Sequence, residues 1–590
     1  MVSTKELSSR FGAVPLDTKT TRFSLWAPSA SHVEVHLEDG RGFTLDALEE
    51  GWYSADVECP VGTAYQFVAD GNAPVPDPAS RFQRDDVHGV SIVTDLAAYP
   101  WTQAGWKGRP WHETVLYELH VGLLGGYAGV EAQLPRLVEL GVTAIELMPL
   151  NQFTGDRNWG YDGVLPFAPA YAYGTPDQLQ HLIDRAHELG LMVFLDVVYN
   201  HFGPDGNYLG QYASDFFRED IPTPWGQAID FRKPQVCEFF IENALMWLRD
   251  YRFDGLRLDA VHAISEKRFL TDLSDRVRRE LPDRQIHLVL ENEHNNACLL
   301  ETHFEAQWND DGHNVLHHLL TGEREAYYAD YCDEPTKKLA AVLGEGFIYQ
   351  GQKNRHGKTR GEPSAHLSPL SFVLFLQNHD QTGNRALGDR LVTLAEPEAL
   401  RAATALLLLS PMVPLLFMGE EWGSRQPFLF FTDFHDELAD AVREGRRNEF
   451  AEFESFNDPE ARERIPDPNA VETFERSRPD FAAIESGEHA EWYALYRTLL
   501  ALRAQAIVPH LPQSRALGAQ IYGEGAVMAR WAMGAERVLR VDLNLSAAAV
   551  QIAPVAGELL FATRTSVSEA ARSGTLEAHS ALFTWEAAHE

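Results

Sequence analysis

The sequence predicts an α/β protein, a (β/α)8 barrel flanked by an N-terminal β-sandwich and a C-terminal antiparallel β-domain. Three observations carry this. Between about residues 110 and 505, eight short, nearly continuous apolar runs alternate with amphipathic helical stretches, the pattern of a parallel sheet buried on both faces. Both ends of the chain instead alternate apolar and polar residues with period two, as half-buried antiparallel strands do. Ionisable residues also recur at the ends of the middle runs, where barrels of this class gather their functional groups.

The eight strand candidates are 115–122, 142–150, 191–200, 255–262, 287–293, 304–310, 372–380 and 414–423. Helical stretches intervene, such as VEAQLPRLVELG before the second run and TPDQLQHLIDRAHELG before the third. Residues 201–234, rich in Gly, Pro and Asp, read as a loop-like insertion over the barrel mouth, and about 345–370 as a long polar approach to the seventh strand. The charged segment 425–485 is expected to form surface helices and loops. Runs such as Phe23–Trp26 and Val33–Leu37, separated by Pro28, Gly40, Gly51 and Gly62, form the sandwich. The expected domains are 1–95, 96–505 and 506–590.

A chain of 590 residues is too long for one hydrophobic core. Its formal net charge of −36 repels nucleic acid and anionic lipid and favours a neutral or cationic substrate. The four cysteines, Cys59, Cys237, Cys298 and Cys332, lie far apart, so neither a disulfide framework nor a zinc site is expected. MVSTKELSSRFGAV lacks the apolar core of a signal peptide, and Pro411 and Pro414 break the Ala- and Leu-rich run 402–418. A cytoplasmic enzyme without membrane association is expected.

The third run leads into Asp196, Asn200 and His201, the fourth carries Arg257, Asp259 and His262, the fifth Glu291 and Glu293, and the seventh His379 and Asp380. One acid at a strand end commonly caps a helix, but four strands delivering such groups to one face make a polar cleft. Arg257 and Asp259, two apart, share a strand face, and a neighbouring guanidinium favours an ionised carboxylate, as a nucleophile requires. Glu291 follows Leu288-Val289-Leu290, apolar surroundings suited to a general acid. Glu293 has the same parity, and spacing does not choose between them. A nucleophile and an acid/base carboxyl are the equipment of a retaining glycosidase, with carboxyls about 5–5.5 Å apart. A divalent metal site is the second reading.

DVVYNH (196–201), DGLRLDAVH (254–262), Glu291 in LVLENE and QNHD (377–380) resemble, in order, the four signature regions of the α-amylase family, and WGYDG (159–163) resembles its substrate-binding loop after strand two. WAPSASHVEVHL resembles the sandwich module of branching and debranching enzymes. The resemblance implies Asp259 as nucleophile, Glu291 as acid/base and Asp380 as the third carboxylate, with Tyr161, His201, Arg257 and His379 around the cleaved residue. Asn200 matches a calcium ligand of many amylases, but the other ligands are not evident, so neither metal nor cofactor is expected.

Within the family, AQWNDDGHNVLHH (306–318), DAVHAI, HDQTGNR and PLLFMGEEWG followed by PFLFFTDF resemble the branch that cleaves the α-1,4 bond beside the terminal trehalose of maltooligosyltrehalose. Asn292 stands where branching enzymes usually carry an acid. The rivals are a glucan-branching transferase, a debranching hydrolase and a non-catalytic glucan-binding or transporter-associated barrel. The expected partner is a neutral oligosaccharide, whose trehalose end needs hydrogen-bonding readers. The candidates are His262, Asn309, Asp310, Asp311, His313, Gln381 and Asn384.

Overall fold

The computed structural model describes residues 10–223, 226–451 and 453–588. Eight parallel strands close into a barrel: β1 (Leu116–Leu119), β2 (Ala144–Leu147), β3 (Met192–Val197), β4 (Gly255–Leu258), β5 (His287–Leu290), β6 (Ala306–Trp308), β7 (Phe372–Phe375) and β8 (Val413–Phe417), with β8 pairing back onto β1. Seven lie inside the expected runs and the eighth begins one residue before its own. Every residue of these strands is buried, which is why they lack alternation.

The connecting helices start and stop on local chemistry. Helix Pro176–Glu188 opens on a capping box formed by Thr175 and Gln178, with Pro176 in its first turn. Helix Gly126–Leu140 ends on Gly141 at φ +106°, a conformation that favours glycine. The Ala- and Leu-rich run forms helix Pro397–Leu409 and then β8. Among the described residues, no helix is long and apolar enough to cross a membrane.

Two segments read as loops contain hairpins. Phe217–Thr223 pairs with Gly226–Ile229 inside 201–234, and Gln352–Lys353 pairs with Thr359–Arg360 inside the polar approach to β7. The first holds Arg218, Glu219, Asp220 and Pro222, so it lacks the apolar alternation that marks a strand.

Two four-stranded antiparallel sheets precede the barrel, with Thr20–Trp26 and Trp52–Glu58 paired in one and Val33–Leu37 and Ala64–Ala69 in the other. Their aromatics fasten them to the barrel. Phe11 packs edge-on against Phe239, ring centres 5.2 Å apart, and Trp26 against Phe216 at 5.5 Å. After the barrel, a five-stranded antiparallel sheet is built from Ser514–Gly523, Ala526–Met533, Arg537–Asn544, Ser580–Ala587 and Glu558–Ala562, in that order across the sheet.

Candidate active site

The site is organised around one buried cation. Arg257 on β4 is 1% exposed. Its Nη1 donates to Asp196 Oδ2 at 2.6 Å and to Asp259 Oδ1 at 2.9 Å, and its Nη2 donates to Glu291 Oε2 at 2.8 Å. Burial works against this charge, but Asp196, Glu291, Tyr161 and Asp259 outweigh it and hold the guanidinium well above its ordinary pKa. Below it, the Trp308 ring lies 4.1 Å away.

Register explains how the carboxyls meet. Leu258 on β4 pairs with Leu290 on β5, so Asp259 and Glu291 are the next residues of two adjacent strands. Such strands run about 4.7–4.9 Å apart, a spacing that suits the retaining pair. Ala260 then turns sharply at φ +40°, a backbone state that L side chains seldom adopt. The turn aims the Ala260 N–H at Glu291 Oε2, 2.9 Å away. Glu291 is therefore held by a cation and an amide rather than lying in the apolar pocket expected from sequence. Both donors use Oε2, and the carboxyl faces the cleft with 18% of its side chain exposed; that of Glu293 is 61% exposed. Asn200 donates to both the Asp259 carboxylate and its carbonyl. Among the described residues, no group of three or more His, Cys, Asp or Glu side chains is arranged to hold a metal.

A second layer sits beside this one. Glu118 on β1 accepts from the His379 backbone N–H at 2.9 Å and pairs with its Nδ1. Burial opposes a charge on His379, but Glu118 raises its pKa above the usual value. The Tyr161 ring stacks on His379 at 4.9 Å, and its hydroxyl donates to Asp196. Burial pushes Asp196 up to about 7. Tyr161 is placed by Gly160 at φ +104°, where a Cβ would lie 2.2 Å from the Pro149 carbonyl. His201 Nε2 bonds the Tyr161 carbonyl at 2.9 Å, and burial lowers its pKa. Burial raises the Asp380 acid, helped by Glu291 and opposed by His379. Burial raises Asp310 well above its ordinary value, with Glu291 and Asp380 adding to the shift.

These groups line a cleft of about 920 Å³ that includes Tyr161, His201, Arg257, Asp259, His262, Glu291, Asp310, His379, Asp380, Gln381 and Asn384. Three sequence candidates lie elsewhere. Asn309 is fully buried, caps helix Asp310–Thr321 by accepting from Gly312 N, and donates to the Gly346 carbonyl. Asp311 is 1% exposed and accepts from Asn295, Tyr331 and the Ile348 and Tyr349 amides, while Arg360 lies 3.1 Å away. His313 is buried against Phe375, ring centres 5.4 Å apart. The helix starts at Asp310, and its turn of about 100° per residue sends Asp310 to the cleft and the next residues inward.

Sequence reasoning missed Arg360, Tyr331 and Arg446, which also line the cleft, because long polar segments bring them there. It also missed Glu118, whose signal was an acid inside an otherwise apolar strand.

The alpha amylase catalytic domain model matches residues 79–225, the carbohydrate-binding module 48 (isoamylase N-terminal domain) model residues 10–85, and a domain of unknown function (DUF3459) residues 514–583. The chain is 44% identical over 560 residues to the malto-oligosyltrehalose trehalohydrolase of Deinococcus radiodurans, covering 92% of this chain and 91% of that protein. A 1,4-alpha-glucan branching enzyme of Aliivibrio fischeri matches at 31% over 41% of this chain and 38% of its own. A crystal structure of a candidate alpha amylase from Salmonella typhimurium superposes with a TM-score of 0.92 at 43% identity, over 98% of this chain and all of that one. With barrel, sandwich, clustered carboxylates and near full-length likeness together, the chain belongs to the malto-oligosyltrehalose trehalohydrolase family, within the α-amylase family.

Proposed function

We propose that the protein is a retaining glycoside hydrolase that cleaves the α-1,4 bond beside the terminal trehalose of maltooligosyltrehalose and releases trehalose. The carrying observation is the single guanidinium of Arg257 bonded to both Asp259 and Glu291 at neighbouring strand ends. Asp259 attacks the anomeric carbon of the glucan ring while Glu291 gives its proton to the departing trehalose oxygen. This forms a glycosyl ester on Asp259. Glu291, now ionised, takes a proton from water, whose oxygen displaces Asp259 and regenerates both carboxyls. Asp380, with Tyr161, His201 and His379, holds the distorted ring. His262 and Asp310 are the proposed readers on the leaving-group side.

The branching reading is disfavoured by the partial extent of that match and by Asn292 beside Glu291. The four cysteines are free, which suits a reducing, cytoplasmic setting. Product analysis on maltotriosyltrehalose and amylose side by side tests the reading. Trehalose from the first and no new branch points in the second are expected; branch points without trehalose would overturn it.

A further inference from the structure

Inside the barrel, Leu116 of β1, Ala144 of β2 and Phe194 of β3 pack in one cluster. Two residues on, where side chains return to the same face, each of these strands carries an acid: Glu118, Glu146 and Asp196. Glu146 pairs in register with Glu118, and Asp196 with Arg257 on β4. All four are buried. The three acids are unequally supplied with donors. Glu118 takes the His379 amide and Nδ1, and Asp196 takes Arg257 and Tyr161. Neither oxygen of Glu146 meets a donor among the described residues. Arg257 bonds Asp196, Asp259 and Glu291 through its two amino groups, while its third nitrogen, Nε, has no acceptor among the described residues.

A buried carboxylate without a donor is costly and sheds its charge by taking a proton. Burial raises the Glu146 acid well above its ordinary value; Glu118 and Asp196 add to this and Arg257 opposes it. These three face it from β1, β3 and β4, with His379, following β7, bonded to Glu118; β6 and β8 contribute the apolar Trp308 and Leu415 to the cluster beneath. Glu146 does not line the cleft.

We infer that Glu146 is a positioning residue for the cleavage. Neutral, it leaves the Arg257 guanidinium to Asp196, Asp259 and Glu291. Ionised, it draws Arg257 Nε toward itself and turns the amino groups away from the carboxyls that break the bond. This rests on the proposed roles of Asp259 and Glu291. The alkaline limit of activity then depends on a residue that touches neither the substrate nor the reacting atoms.

The test uses the full-length protein and Glu146→Gln, which cannot ionise, with Glu146→Met as a second such variant should the first fold poorly. Both kcat and KM are measured from about pH 5 to about pH 10 on α-maltotriosyl fluoride. Its leaving group needs little acid help, so the proton on Glu291 does not set the alkaline limb. The expected result is an alkaline limb of kcat moved up by about one pH unit, a tenfold change in proton affinity, with KM little changed. Infrared difference spectra of wild type against variant should show a protonated carboxyl band at neutral pH that vanishes across the wild-type limb. Absence of that band, an alkaline limb that stays in place, or a kcat lowered by the same factor at every pH overturns the inference; the last is what a merely structural role predicts. Trehalose release by the wild type from maltotriosyltrehalose is followed separately. Its failure alone overturns the proposed trehalose specificity, and the fluoride profile still judges Glu146.

Discussion

Asn200 donates its side-chain amide to Asp259 Oδ2 at 2.8 Å and to the Asp259 carbonyl at 2.9 Å. One amide nitrogen bridging the two oxygens fixes both the strand terminus and the carboxylate rotamer. A hydrogen bond to a charged group is worth about 1.5–3 kcal/mol, so Asn200→Ala is expected to lower kcat by about ten- to a hundredfold with a smaller effect on KM. Steady-state kinetics alongside a melting curve check this. A variant that melts normally and turns over at the wild-type rate would remove Asn200 from the positioning of Asp259.

Glu291→Gln keeps the shape of the carboxyl but removes the proton that the proposed general acid gives. Activity should fall close to zero on maltooligosyltrehalose and recover partly on maltooligosyl fluoride, whose leaving group needs little acid help. The comparison is of initial rates on the two substrates. The same fractional loss on both would count against Glu291 as the acid.

His262 lines the cleft, with Nδ1 accepting from the Glu293 amide at 3.3 Å, whereas Asp311 is buried under five donors. The two substitutions should therefore behave differently. His262→Ala should cut kcat/KM for maltotriosyltrehalose about tenfold more than for plain maltooligosaccharide, the loss of one substrate hydrogen bond. Asp311→Ala should destabilise the fold by about 3–5 kcal/mol by stranding Arg360 and two amides, with no substrate preference in what activity remains. Kinetics on both sugars and chemical unfolding separate the two. A stable Asp311→Ala protein with a trehalose-specific defect would contradict the placement described above.

Glu420, just after β8, accepts from the Phe417 amide and the Tyr496 hydroxyl, and burial raises its pKa from 4.5 to about 8. The folded protein therefore holds a proton there that the unfolded chain releases. This stabilisation is full below the unfolded pKa and is lost as pH rises through about 8. Glu420→Gln carries no such loss, so its melting temperature relative to wild type should rise between about pH 5 and about pH 9. A constant difference across that range would show that Glu420 is ionised in the folded state.

How much of this could be read from sequence divides along physical lines. The strands were legible because burial on both faces leaves continuous apolar runs, and Arg257, Asp259, Glu291 and Asp380 stood out as charges at their ends. Parity placed Arg257 beside Asp259, but whether Glu291 met apolar walls or donors depended on the turn at Ala260, which only the assembled strands reveal. Asn309 to His313 were opaque because successive side chains of a starting helix point in different directions, and sequence does not say which one faces the cleft. Arg360 and Tyr331 reach the site on long connections after β6, whose course is set by Asp311 through contacts distant in the chain. The hairpin at 217–229 was hidden by its charges.

The most direct test of the account is to trap the intermediate. Glu291→Gln, incubated with α-maltotriosyl fluoride and quenched in acid, should accumulate a covalent maltotriosyl adduct, because the good leaving group permits the first step while the missing base slows the second. Mass spectrometry of peptic fragments should place the added sugar on the peptide carrying Asp259, at that residue. Turnover of the fluoride with no adduct, together with a β-anomeric sugar as first product, would contradict a retaining mechanism; an adduct on any other carboxylate would contradict Asp259 as its nucleophile.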